Sequence, residues 1–204
     1  MSNAMSKPAY FGISIIGIFP LLAPSTTLLS GLAMAAAFLT LVLVATLSIS
    51  SIRGFIVSEI LLPLCLLVNA SWVVVLDRFM LAYCFELREL LGMYLPLLAV
   101  NAAVLLYLQQ NASRANPVLM LKQIFRPLML IVSLLVLTAA ARELLATGSL
   151  VFPGSGESGM TTVKSEWFAG LTLFGMAPGA FICLGLILAL IKYCLKKDIG
   201  IRIE

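Results

Sequence analysis

The chain is predicted to be an all-α integral membrane protein: six transmembrane helices arranged as two inverted three-helix repeats with broken helices. Three observations carry that expectation. Hydrophobic residues make up 62% of the chain and charged residues only 11%, with no histidine, whereas soluble domains average about 25% charged residues. Several apolar runs reach the roughly 20 residues that a helix needs to cross the hydrocarbon core. The third is a recurrence. GIFPLLAP at Gly17–Pro24 returns as GMYLPLLA at Gly92–Ala99, so that PLLA begins at Pro20 and again at Pro96.

In chain order, MSNA precedes a second methionine, Met5, and reads as an expression scar, leaving residues 5–204 as one transmembrane domain. A cleaved signal peptide is the competing account of Met5–Ala23. No small-x-small cleavage site followed by a polar mature domain is present, so the segment is expected to be retained. Hydropathy then places spans at Tyr10–Pro24, Leu28–Ile52, Phe55–Leu76, Leu90–Leu108, Phe125–Leu145 and Phe168–Leu195. Repeat 1 covers about residues 8–80 and repeat 2 about 84–195. The one long polar segment, Gly148–Trp167, is rich in Gly and Ser and reads as an extracytoplasmic loop.

Six spans put both termini on one side, with the loops around Arg53 and Asn111–Arg126. That side holds Lys7, Arg53, Arg114, Lys122, Arg126, Lys192, Lys196, Lys197 and Arg202, against Arg78, Arg88, Arg142 and Lys164 on the other. Basic loops stay in the cytoplasm, so both termini are expected there. The net charge of +4 is spread between spans rather than along one face, which points to membrane topology and away from nucleic acid. The tail IKYCLKKDIGIRIE carries a basic cluster suited to anionic lipid.

Three crossings separate the two PLLA segments, so they run in opposite directions through the bilayer, as in an inverted repeat. A proline inside a helix removes a donor and clashes with the carbonyl four residues back. In lipid such a break survives only where protein or a lined cavity surrounds it. Gly17, Pro20, Gly92, Pro96 and Asn101 are therefore expected to meet near the membrane centre, with a third break at Pro178 in MAPGAF. The plainer alternative is that Pro20 and Pro96 kink ordinary membrane helices, where proline is common.

GIFPLLAPSTT, GMYLPLLAVN, ARELLATGSLVF and MAPGAFICLGLILA, in that order from about Gly17 to Lys192, together resemble the six-helix membrane subunits of the Rnf and Nqr electron-transport complexes. The likeness is greatest to the E subunit of Rnf and the D subunit of Nqr. The resemblance implies an inner-membrane, ion-translocating oxidoreductase in which two such subunits pack in opposite orientation beside other electron-transport subunits. It also implies a 2Fe–2S cluster held by cysteines in a G-L-C-P and a T-N-C motif. Here those ligand positions are Phe19 and Ala102. Clusters need thiolate, or occasionally imidazole, so the cluster is expected to be lost and no cofactor is expected in this chain. Phe19 is of a size to plug the vacated space. Cys65, Cys84, Cys183 and Cys194 are scattered without ligand spacing, and buried free cysteine usually behaves as a small hydrophobe.

Two acids are candidate ion-path residues. Asp77, in VVVLDRFM, is supported by the resemblance to the Nqr protein. The alternative is a solvated interfacial pair with Arg78. Glu143 is the second, beside Arg142, whose place in a last helical turn the helix dipole explains. Asn101 is suited to satisfying the backbone opened by Pro96. Trp167, beside the polar loop, is placed for interfacial anchoring. No catalytic residue and no metal-binding spacing is present, so the chain is at most a non-catalytic subunit of an oxidoreductase. Two other functions stay open: a stand-alone inverted-repeat transporter of a small ion or solute, and a non-catalytic assembly or scaffold protein.

Overall fold

A computed structural model describes residues 17, 20–52, 58–102, 104, 105, 108, 117–153, 160–164 and 171–199. Phe19, Cys194's side chain, Trp167 and the segment before Gly17 lie outside the described residues. The fold is that of a helical membrane protein. Its helices are α1 (Leu28–Ile52), α2 (Leu61–Tyr83), α3 (Phe85–Leu91), α4 (Tyr94–Leu97), α5 (Pro117–Thr147), α6 (Thr172–Gly175) and α7 (Ala177–Ile199), with 3-10 turns at Ser58–Ile60 and Leu98–Val100. Among the described residues three stretches are long and apolar enough to cross a membrane: Leu28–Ile52, Leu61–Tyr83 and Ile124–Thr147.

α1 is the central post. Its sequence is apolar all round, as a helix enclosed by neighbours must be, and 56% of its most apolar window is buried against 22% for α2. It packs chiefly on α5 and α2. The contact with α5 depends on small residues, because a methyl at Gly31 would overlap the side chain of Ala139. Such close backbone approach supplies the van der Waals contact that replaces a hydrophobic driving force in lipid. α2 buries a single stripe, Cys65, Asn69, Val73 and Met80, and turns the rest outward. It is tied to α1 by Trp72 Nε1, which donates to Ser48 Oγ at 2.8 Å. The main core joins Leu21, Leu22, Met34, Phe38, Leu41, Leu95, Leu98, Leu135 and Leu184 from across the chain.

Several expectations change. The third span begins at Leu61 rather than Phe55 and runs to Tyr83 rather than Leu76. Pro63 then falls in the first turn, where a missing N–H costs nothing. The fourth span is not one helix from Leu90 to Leu108: α3 stops at Gly92, whose φ of 50° suits glycine, and α4 gives way to a 3-10 turn and extended backbone at Asn101. The sixth is interrupted at Met176. The polar segment after α5 is more ordered than a loop. Gly148, with φ 67°, ends α5, and β1 (Ser149–Pro153) then pairs antiparallel with β2 (Met160–Lys164), Ser149 opposite Lys164 and Pro153 opposite Met160. The Gly and Ser content belongs to the connection between the strands.

Candidate functional site

Helix breaks, rather than a cleft, organise the polar interior. At the first, Pro20–Leu22 are helical and the chain then turns through Ala23–Thr27 before α1. Leu21, Leu22 and Ser25 are fully buried. The hydroxyl of Ser25 donates to the Leu22 carbonyl at 2.7 Å. Thr27 and Ser30 form a reciprocal cap: Ser30 N–H donates to Thr27 Oγ1 at 3.2 Å and Thr27 N–H to Ser30 Oγ at 3.1 Å. This is the capping-box arrangement with serine in place of glutamate.

Arg142 and Glu143 complete this break from α5. Glu143, 3% exposed, accepts the Leu28 N–H at 2.8 Å, placing a carboxylate on the positive end of α1. Arg142 is fully buried. Its Nη1 donates to the carbonyls of Leu22 at 2.7 Å and Ser25 at 2.9 Å. On the other side, Nε reaches Phe174 O at 3.1 Å, and Nη2 reaches Gly175 O at 3.4 Å and Met176 O at 3.2 Å. The dipole of its own helix is therefore not what explains Arg142. It serves the carbonyl ends of two other segments, the first break and the one between α6 and α7. There Pro178 occupies the first turn of α7, and a methyl at Gly179 would overlap the backbone of Phe174.

The second PLLA break is held by amides. Asn69, fully buried on α2, donates through Nδ2 to Leu98 O at 3.0 Å and Ala99 O at 2.7 Å. Asn101 accepts the Val104 N–H on Oδ1 at 3.3 Å, capping the helical residues that follow. Its Nδ2 donates to Gly17 O at 2.9 Å. That bond links the residue that opens the first PLLA segment to the one that follows the second. The outward face of this break is open: Met93 is 73%, Val100 59% and Leu97 40% exposed, and Ala102 is exposed too.

Asp77 lies within α2, and its partner is not Arg78. Arg88 Nε on α3 approaches its Oδ1 at 3.0 Å, the Arg88 side chain being 38% and the Asp77 side chain 19% exposed, so the pair ties α2 to α3. Cys65 and Cys183 are buried and free, and Cys84 is free between α2 and α3. Sequence reasoning missed Asn69. Its signal was an amide inside the apolar run LLPLCLLVNASWVVVL, which has to find partners. Reasoning also missed that Arg142 bridges two breaks, for which the sequence offers no local signal.

The chain matches the model of a family described as "Rnf-Nqr subunit, membrane protein" over residues 1–188. It is 31% identical over 191 residues to the E subunit of the ion-translocating oxidoreductase complex of Klebsiella pneumoniae, the alignment covering 91% of this chain and 82% of that protein. It is 30% identical over 192 residues to the protein of the same name from Shewanella piezotolerans, covering 87% and 79%. It is 31% identical over 196 residues to that from Shewanella oneidensis, covering 89% and 81%.

Proposed function

The chain belongs to the Rnf-Nqr family of membrane subunits, and from that premise we propose that it is a multi-pass subunit of an ion-translocating oxidoreductase complex. In this reading it supplies a helical scaffold, holds no 2Fe–2S cluster of its own, and pairs with a second homologous subunit in inverted orientation. The redox centres lie on other subunits. Its six spans form two inverted repeats, with both termini on the cytoplasmic side of the inner membrane.

The open face of the second break is the observation that carries the pairing. Irregular backbone at membrane depth is stable only when protein or a water-lined cavity covers it. Here the 3-10 turn at Leu98–Val100 and the extended residue Asn101 lie behind exposed Met93, Leu97, Val100 and Ala102. A second subunit seated there would supply the cover. The hydrogen bond from Asn101 to Gly17 supports the repeat, since it brings the matched segments together.

Donor chemistry supports the absence of a cluster. Ala102 presents a methyl where a ligand is needed. Cys65 on α2, Cys84 after it and Cys183 on α7 belong to three different places in the fold. The residues present do not fit the group, and no electron-transfer step is routed through it.

Isolation of the native protein from gently solubilised membranes, followed by identification of its companions and by iron and flavin analysis, tests the whole reading. The expected outcome is co-purification with flavin- or iron-containing subunits and with one membrane subunit of similar size. The chain stripped of those companions is expected to lack 2Fe–2S absorption. A stoichiometric cluster on the isolated chain would overturn the cofactor reading, and purification without companions would overturn membership in a complex.

A further inference from the structure

We propose that the carbonyl oxygens of two interrupted segments form a site for one monovalent cation, and that this chain fills the site with its own side chain, the guanidinium of Arg142. Two separate stretches of backbone, Leu22–Ser25 and Phe174–Met176, aim five carbonyl oxygens at a single side chain, at 2.7 to 3.4 Å. The hydroxyl of Ser25 completes the set at 3.5 Å. These oxygens sit at or just past the ends of short helical segments, where the dipole places partial negative charge; Leu22 O and Met176 O share Arg142 with Ser25 and Gly179, and Ser25 O, Phe174 O and Gly175 O face it. Broken helices in membrane proteins coordinate monovalent ions with this kind of donor set.

The chemistry of the set defines its ligand. Neutral oxygens alone attract one positive charge but do not offset the dehydration of a divalent ion, which takes carboxylates as well. Arg142's partners among the described residues are carbonyls and one hydroxyl. The planar fork matches the two-sided arrangement, with Nη1 serving one segment and Nε and Nη2 the other. Because the guanidinium is tethered to α5 and fully buried, it keeps free ions out of this place in the bundle. Any ion passing through the subunit therefore passes elsewhere. This inference does not depend on the oxidoreductase reading, since it concerns only the chain's own donors and charge.

The test is thermal unfolding of the full chain in detergent at matched ionic strength in four chlorides: ethylguanidinium, sodium, potassium and N-methylglucamine. The unaltered protein is expected to melt at one temperature in sodium, potassium and N-methylglucamine, with no gain from ethylguanidinium. Arg142→Ala is expected to melt about 5 °C lower or more and to recover most of that loss in ethylguanidinium, part of it in sodium or potassium, and none in N-methylglucamine. Arg142→Lys, which keeps a charge at the carbonyls, is expected to fold with a smaller loss than Arg142→Met, which keeps volume without charge. That comparison decides the matter if the alanine variant does not fold. Equal losses in lysine and methionine variants, failure of the lysine variant to fold, or an alanine variant that melts alike in all four salts would overturn the proposal.

Discussion

The first break, Pro20–Thr27, is enclosed by the chain and held by a charge, whereas the second, Tyr94–Asn101, is held by neutral amides and shows one face to its surroundings. Both meet the same demand, that backbone carbonyls left without helical donors find partners in a medium that has none. Arg142 satisfies two breaks at once because its five donors spread over two edges of a plane. Asn69 has two amide donors and applies them to neighbouring carbonyls, Leu98 and Ala99. A buried charge pins the enclosed site, because its solvation is replaced by fixed dipoles. A neutral amide leaves the other site stable enough to fold and still open to a partner.

The contrast can be broken in order of expected effect. Arg142→Met removes the donor of the Ser25, Phe174 and Gly175 carbonyls, at about 1–3 kcal/mol for each buried orphan, while Leu22 O keeps the Ser25 hydroxyl and Met176 O keeps the Gly179 N–H. The yield of monodisperse protein on size exclusion should fall to a small fraction of the parent's, and an unchanged yield would remove the charge from the account. Asn69→Leu takes the donor from Ala99 O, while Leu98 O keeps the Asn101 N–H, and it also removes Oδ1, a buried acceptor without a partner among the described residues, so its loss should be smaller, about 1–3 kcal/mol in all. Hydrogen exchange at Leu98–Asn101 should accelerate while that at Leu22–Ser25 does not. Asp77→Asn, remote from both breaks, removes a partly exposed pair and should cost about 0–1 kcal/mol. A melting temperature unchanged within error fits that, and a loss as large as that of Asn69→Leu would mean that α2 and α3 are held chiefly by charge.

Apolar runs made α1, α2 and α5 legible, because length and hydropathy are local properties. Proline alone was a poorer guide. Pro127 lies inside α5 without ending it, and Pro63 and Pro178 sit in first turns. What set the true breaks apart was the matched context of glycine, aromatic residue and PLLA, together with Asn101 after the second copy. The start of α2 and the hairpin after α5 were misjudged for a related reason: hydropathy windows do not register first-turn proline chemistry or the pairing of short strands. The part played by Arg142 could not be read locally at all. It depends on residues about 120 and 30 positions away in the chain, and a lone arginine near a helix end has a sufficient local explanation in the dipole.

Photo-crosslinking from the open face is the most direct test of the central claim, that the second break is completed by another membrane subunit. Benzoylphenylalanine placed at Val100 and, in a second strain, at Leu67, a position 64% exposed on the outward side of α2, would be irradiated in native membranes. A discrete protein adduct of one membrane subunit is expected at position 100 and no such adduct at position 67. Lipid adducts alone at both positions would contradict the claim.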